Sequence, residues 1–600
     1  MKILKIPFHA MKSNKSNYSK RFNYRYLYLF LLLVFTSCKT SINELTSNGD
    51  SNEMLMMNGK IFTGDRNNPY AEAVLVRDKR IVAVGSLNEV KSKAQDPETV
   101  DLGGRLLVPG LVDTHVHAFF AGYATLAAEL PFQVLPPAQL SSFAEQARTS
   151  GQGLVGDVLR IGNANLDYWN DLSVLDNIFN NPPFENIPVI IAGMDAHTGW
   201  SNRTMLARAG IDQNYIGSLS QEQRRFYGFD AQLNPNGYTV DDGWDYVLAN
   251  VPPVPAGTLL EAGRAAIRTL NSYGITAWLD PMGNGRPVAP LFSWRPTQND
   301  EGLLPTYRSL SQSGELTGRV AAMVLLHARS EPAELSVVEA LRQRYANVPN
   351  LTIPGIKILG DGVLEYPAQT AAISIPYINS GSLGALGFEP AQFARLVTAA
   401  DARGLIVHTH AIGDRAVRET LNAIEAARQS NGPSGPSHTI VHLQIVNPSD
   451  RPRFKQLNVL AGMQLLWKEP GLESNELLQP YVNPGLLTNM YSGRRLLDAG
   501  ATLVSGSDWP VSTPNPFASI AMIANNPASE VVTPEEMLYS FTSDAARALG
   551  MEDRVGRIAP GRLADMALLD RDLTVIPAGE IESTRVLWTM FDGRFVYRTE

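Results

Sequence analysis

The sequence predicts an α/β fold: a closed (β/α)8 barrel of the TIM type, with a small β-sandwich domain built from both ends of the chain. Three observations predict it. Apolar runs of strand length alternate with helical periodicity through the middle, both ends carry short strands separated by turns, and several of the runs end in histidine, lysine or aspartate. Barrels of parallel strands place their chemistry at the carboxyl ends of the strands, so those last residues would converge although they lie far apart in sequence.

At the start, Lys2, Lys5, Lys12, Lys15, Lys20, Arg21 and Arg25 come with no acidic residue and lead into the almost wholly apolar Leu27 to Phe35. A membrane-spanning helix needs about 20 apolar residues, roughly twice that run, so residues 1–37 are expected to be a cleaved secretory signal. Phe35-Thr36-Ser37-Cys38 resembles the lipobox of bacterial lipoproteins, with Phe35 in place of the usual leucine. Cys38 is then the lipidated first residue; otherwise it is an incidental or buried cysteine. It is the only cysteine, so no intrachain disulfide forms and no thiolate is left to hold a metal. Residues 38–53, rich in Ser, Asn, Thr and Gly, read as a flexible tether. An exported protein is expected, lipid-anchored on the periplasmic or cell-surface side of a bacterial membrane and touching it only through the lipid.

Residues 54–107 have hairpin patterning, with Ala73 to Val76 and Ile81 to Val84 around Asp78-Lys79. Residues 556–600 mirror them: Ala564 to Leu569, Val586 to Met590 and Arg594 to Tyr597 read as strands that complete the same β domain. Between them, residues 108–555 form the expected barrel. Leu259 to Tyr273 has helical periodicity, stops at Gly274 and gives way to the apolar Ile275 to Asp280, a helix-then-strand step. Ten apolar runs are visible and eight are needed. Setting aside Val158 to Ile161 and Val189 to Ala192 leaves Leu106 to His117, Ile275 to Asp280, Val320 to His327, Ile353 to Leu359, Leu405 to His410, Thr439 to Leu443, Val459 to Gln464 and Thr502 to Asp508. An insertion of about 118–256 then follows the first strand.

Over 600 residues, 51 Lys plus Arg stand against 59 Asp plus Glu, a formal net charge of −8. With no basic stripe to track phosphates, nucleic acid is not an expected partner; a small molecule is.

Val108 to His117 reads VPGLVDTHVH. Residues two apart on a strand point the same way, so His115 and His117 can grip one cation. The chain has nine histidines, and five fall in two groups, His115 with His117 and His408, His410 and His442. That clustering favours a metal site over packing detail. Without thiolates the ligands must be nitrogen and oxygen, a set that suits Zn²⁺ and metal-assisted hydrolysis.

Six motifs in order carry a resemblance to a known family: the Val108 to His117 opening, Gly355-Ile356-Lys357 leading to Asp361-Gly362, His410-Ala411-Ile412-Gly413-Asp414-Arg415-Ala416, His442-Leu443-Gln444, Gly506-Ser507-Asp508-Trp509-Pro510, and Gly556 to Asp565. On these, nearly everything after the tether resembles the metal-dependent amidohydrolase superfamily, amidohydrolase family 3. The resemblance implies that His115, His117, Lys357, His410, His442 and Asp508 bind one or two divalent ions, with Lys357 carboxylated to a carbamate that bridges two metals. The other reading of Lys357 is a charged side chain that orients a substrate carboxylate or pairs with Asp361. Asp508 is expected to shuttle a proton from the attacking water to the leaving nitrogen; the alternative is a cap on the following helix. His410 opens the AIGD motif and is taken as the ligand, with His408 a lower, hydrogen-bonded neighbour. His438 reads as strand-entry structure.

Asp195-Ala196-His197-Thr198-Gly199-Trp200-Ser201-Asn202 resembles the family's loop over the metal centre, which would let His197 hydrogen-bond a substrate carbonyl or merely hold its own loop. Gln464 and Trp509 are expected as substrate contacts, a polar group and an aromatic wall. The expected activity is hydrolysis of a carbon–nitrogen bond in an amide, formamide or cyclic amide by metal-activated water. Ester hydrolysis on the same platform is the second reading, and a non-catalytic surface-binding lipoprotein the third.

Overall fold

The computed structural model describes residues 53–468, 475–527 and 529–599. The expected signal segment, Cys38 and the tether up to residue 52 lie outside them. Among the described residues no helix is long and apolar enough to cross a membrane.

Eight parallel strands form the barrel: β1 (Leu111–Asp113), β2 (Ile275–Asp280), β3 (Arg319–Ala322, continued by Val324–Leu325), β4 (Gly355–Leu359), β5 (Ile406–Ala411), β6 (His438–His442), β7 (Val459–Met463) and β8 (Thr502–Ser505). Their sequences are apolar or β-branched at most positions because both faces are covered, and β2, β5, β6 and β7 are buried from end to end. Consecutive strands pair in parallel from β1 to β8, with β3 passing from β2 to β4 where its two segments meet. The ring closes between β8 and β1, where the Thr114 N–H and hydroxyl both donate to the Ser505 carbonyl at 3.0 and 2.9 Å.

One expectation needs correcting. Leu106 to His117 is not a single barrel strand: Leu106–Pro109 belongs to the terminal β domain, β1 starts after Gly110, and it ends at Asp113. His115 and His117 therefore sit past the strand end, and His117 is the residue from which the helix Ala118–Ala124 starts. Both segments are wholly buried, so the apolar run alone carries no sign of the change of sheet.

The terminal domain is a sandwich. A four-stranded sheet of Glu53–Met57, Ala73–Arg77, Arg80–Gly85 and Glu98–Asp101 faces a six-stranded one in which Leu106–Pro109 pairs with Met566–Leu569 from the far end of the chain. Met56, Val74 and Val76 of the first sheet pack with Ile61, Leu107, Met566 and Met590 of the second. Arg319, at the start of β3, ties barrel to sandwich: its guanidinium holds Asp565 at 2.9 Å and also Asp592, with Asn350 at 2.8 Å. A cation this deeply buried is tolerated because each of its faces has a partner.

Between β1 and β2 lies a second six-stranded sheet, ordered Tyr227–Phe229, Pro235–Val240, Thr198–Ser201, Val189–Gly193, Val158–Ala164 and Leu154–Val155. It takes up the two apolar runs that the barrel did not need. The helix Ala118–Ala124 lies so close to Ala256–Ser272 that a Cβ on Gly122 would fall 1.9 Å from the Ala262 carbonyl oxygen.

Candidate metal centre

The strand ends bring four side chains to one point. Nε2 of His117 and Nε2 of His115 face Asp508 Oδ1 at 3.2 and 3.4 Å, and His442 Nδ1 lies 3.7 Å from Asp508 Oδ2. One donor atom from each of His115, His442 and Asp508 falls within 4.8 Å of the others, and all three residues are buried. His442 at φ 78° and Asp508 at φ 55° occupy the left-handed region, uncommon for residues with side chains and concentrated where function fixes the backbone. The chain breaks sharply there, and the Asp508 N–H donates to the His115 carbonyl at 2.7 Å, locking β8's end onto β1's. Gly506 must be small: a Cβ there would sit 2.7 Å from the His115 nitrogen.

The electrostatics suit a cation. Burial pushes the His115 imidazole down to about 3, with Lys357 adding to the effect, and burial likewise holds His442 and His410 well below the usual histidine range. These rings are neutral, the form whose lone pair binds a metal. Burial alone would raise the Asp508 carboxyl, but the surrounding His115, His117 and His442 outweigh it and hold it well below the carboxylate range. Asp508 Oδ1 has no hydrogen-bond partner of proper geometry among the described residues, and neither does the buried His117 Nδ1. A buried anionic carboxylate beside the neutral His115 and His442 imidazoles fits a divalent ion.

Lys357, 1% exposed, reaches into this group from β4. Burial pushes its amine down to about 7, opposed by Asp508. Asp361, its alternative partner, instead accepts the backbone N–H groups of Ala372, Ile412 and Gly413, each at 2.9 Å. His408 stands beside Lys357 in the β4–β5 register, and its Nε2 is 2.7 Å from His115 Nδ1, with the two rings stacked. That bond leaves His115 Nε2 aimed at Asp508, an arrangement that fixes which nitrogen faces the centre. His410 lies beside His442, ring centroids 4.5 Å apart, with Nε2 at 3.1 Å from the Gly362 carbonyl. His438 sits at the other end of β6, where Nδ1 accepts the Val407 N–H.

Gln464, expected to touch substrate, has its Oε1 3.0 Å from His442 Nδ1, while its Nε2 has no partner among the described residues. Trp467 stacks on His442 at 5.4 Å, nearly parallel. Trp509 is half-buried against the core, and its carbonyl accepts the His117 N–H at 3.0 Å. Asp508 does not cap the next helix: Pro516–Ala524 is capped by Asn515, which accepts the Phe517 N–H at 3.0 Å.

The insertion delivers His197 to the same mouth, its ring 5.7 Å from that of His410 and 4.7 Å from Phe292. His197 Nδ1 is 2.7 Å from Asp241 Oδ1, a carboxylate that the sequence reading did not single out. Burial opposes charge on His197, but Asp241 and Asp195 outweigh it and raise its pKa. Asp113 was also missed, although it stands in the DTHVH motif itself. It accepts from the His115 and Ser507 N–H groups and from the Ser507 hydroxyl at 3.0, 3.1 and 2.6 Å, binding the two halves of the centre together.

A closed barrel with imidazoles, a buried lysine and a carboxylate at its carboxyl-end mouth defines a metal-dependent hydrolase. The comparisons with known proteins agree. The model of the amidohydrolase family matches residues 98–597, and the chain belongs to that family. It is 26% identical to the protein LONG AFTER FAR-RED 3 of Arabidopsis thaliana over 91% of both chains. It is 25% identical to the N-substituted formamide deformylase of Arthrobacter pascens over 91% of this chain and 98% of that one. A metal-dependent hydrolase from Pyrococcus furiosus shares the fold, with a TM-score of 0.64, 22% identity, and coverage of 87% of this chain and all of the other. The protein is thus an enzyme, a hydrolase acting on carbon–nitrogen bonds of small molecules.

Proposed function

We propose that the enzyme cleaves a non-peptide amide, with formamides first among the candidates and cyclic amides next, and that His115, His117, Lys357, His410, His442 and Asp508 hold one or two zinc ions. The convergence of His115, His117, His442 and Asp508 at the barrel mouth carries this reading. When bound, a divalent ion lowers the pKa of water from about 15.7 to near 7 and polarises a carbonyl. The chain's own groups do the rest. Asp508 takes a proton from the attacking water and hands it to the leaving nitrogen. His408 holds His115 by its Nδ1, and Gln464 holds His442. His197, held at its Nδ1 by Asp241 and with its pKa raised by that carboxylate, donates to the substrate carbonyl oxygen as negative charge builds on it. Trp467 and Trp509 wall the site with apolar surface. The formamide preference draws on the Arthrobacter relative, which aligns with this chain over nearly its whole length.

The test is a panel of N-formyl, N-acyl and cyclic amides against simple esters, run on zinc-loaded, full-length protein. Turnover is expected on amides, and on formamides above the rest. Faster ester than amide cleavage would replace the reading with an esterase, and silence across the panel with metal bound would leave only a binding role.

The same proposal places the enzyme outside the cell, anchored through Cys38 by the basic, apolar and Phe35-Thr36-Ser37-Cys38 segments in succession. Radiolabelled palmitate fed to expressing bacteria is expected to mark the wild type and not Cys38→Ser. Equal labelling, or none in either, would remove the anchor.

A further inference from the structure

Glu365 follows β4 in the loop that starts at Asp361-Gly362, and neither the motifs nor the reaction proposed above uses it. Its residue is 7% exposed, and its Oε1 has no hydrogen-bond partner among the described residues. The carboxylate is hydrogen-bonded by its own backbone N–H and by the side chain of Gln444, two positions after His442, which sets Glu365 at the barrel mouth. Besides its own backbone N–H, three groups act on its charge. Asp195 is another carboxylate, Gln444 is neutral, and His197 already has Asp241 at 2.7 Å. Asp195 itself is engaged, accepting from the His197 and Thr198 N–H groups and the Thr198 hydroxyl at 3.1, 3.0 and 2.8 Å. The Tyr238 hydroxyl, close enough to feel Asp195, is buried and without a partner among the described residues as well.

A buried carboxylate with one oxygen unmet, next to a second carboxylate, is costly unless something complements it. Burial raises the Glu365 carboxyl to about 7, so the charge stands close to being given up. The complement that geometry and charge both call for is cationic. Among the described residues the nearby imidazole, His197, is already paired with Asp241. Next in the chain, Tyr366 is exposed and lies face to face with Tyr481, ring centroids 4.8 Å apart, which offers an aromatic ledge for an apolar stem leading inward.

We propose that Glu365 is a specificity-determining residue that receives a protonated nitrogen, an ammonium at the end of an apolar stem, on the substrate or on the amine product. The inference deepens the reading that this mouth is the substrate site and rests on it. A charge-assisted hydrogen bond inside such a site corresponds to roughly 10- to 100-fold in affinity.

The experiment is calorimetric titration of the full-length, zinc-loaded protein with primary alkylammonium ions from ethyl to octyl and with the alcohols of equal length. The best ammonium ion is expected to bind wild type at least about tenfold more tightly than its alcohol. Glu365→Gln is expected to bring that ratio to about one while leaving the alcohol's affinity and the zinc content unchanged. A wild-type ratio near one overturns the proposal, and so does a preference that survives the substitution. The wild-type ratio needs no variant, so a misfolded Glu365→Gln would not shield the idea. Binding is read without turnover: an ammonium preference without amide hydrolysis sinks the reaction and spares Glu365, whereas amide hydrolysis without the preference does the reverse.

Discussion

Asp508→Asn is expected to lower kcat by about a thousandfold on the best amide of the panel, within the 10²–10⁴ span of a general acid–base group. The substitution keeps shape and volume, so the backbone bond from the residue 508 N–H to the His115 carbonyl survives, and with it the junction of β8 and β1. What disappears is the negative oxygen that faces His115 and His117 at 3.4 and 3.2 Å and has no other partner among the described residues. Two losses must be separated, because the same carboxylate is proposed both to hold metal and to move a proton. Kinetics at metal concentrations that saturate the variant do this. A thousandfold defect that persists at saturation is proton transfer; one that vanishes as metal is added is affinity. Activity within about tenfold of wild type at saturation would take Asp508 out of the chemistry.

The eight strands were legible because each is short, apolar and bounded by a turn, and because burial on both faces leaves little polar interruption. Ile275 to Asp280 is read to the residue, and the others within one to three positions of their observed ends, save β1. β1 was misjudged because Leu106–Pro109 and Leu111–Asp113 are equally buried in different sheets, and apolarity does not report which partner a strand has. The site divides in the same way. His410 and His442, at strand ends, can be found from spacing, whereas His115 and His117 lie past the end of β1 and strand alternation does not place them. His197 with Asp241 cannot be found from spacing either: the two are brought together by the antiparallel register that sets Thr198 opposite Val240, across 44 positions of chain. Asp113 was within reach, since it is the first residue of DTHVH, but its role depends on Ser507 arriving from the far side of the barrel. Glu365 had no signal at all, being a loop carboxylate whose burial exists only once the mouth has formed. Between His408 and His410 the strand gives no choice, because both face one way; the folded chain sets His408 Nε2 2.7 Å from His115 Nδ1 and His410 Nε2 3.1 Å from the Gly362 carbonyl.

Lys357→Ala is expected to lower bound zinc from about two ions per chain to about one, and kcat by at least roughly a hundredfold, as loss of one member of a two-metal clamp implies. The physical case begins with burial. A charged ammonium at Lys357 would lie buried near four histidines and one aspartate, and burial already brings the amine down to about 7. Near neutral pH a good fraction is therefore the free amine, whose nitrogen lone pair can add to the carbon of carbon dioxide as an N–H proton leaves. The carbamate so formed turns a cation that repels metal into an anion that binds it. Bicarbonate present during metal loading should then speed zinc uptake by the wild type and have no effect on Lys357→Ala. Carbamate is lost in acid, so brief acidification of metal-free protein should slow reloading until bicarbonate is restored. If wild type and variant hold the same amount of zinc, and bicarbonate changes neither, Lys357 is a charged anchor for a substrate carboxylate. Its substitution should in that case raise KM and leave the metal count alone.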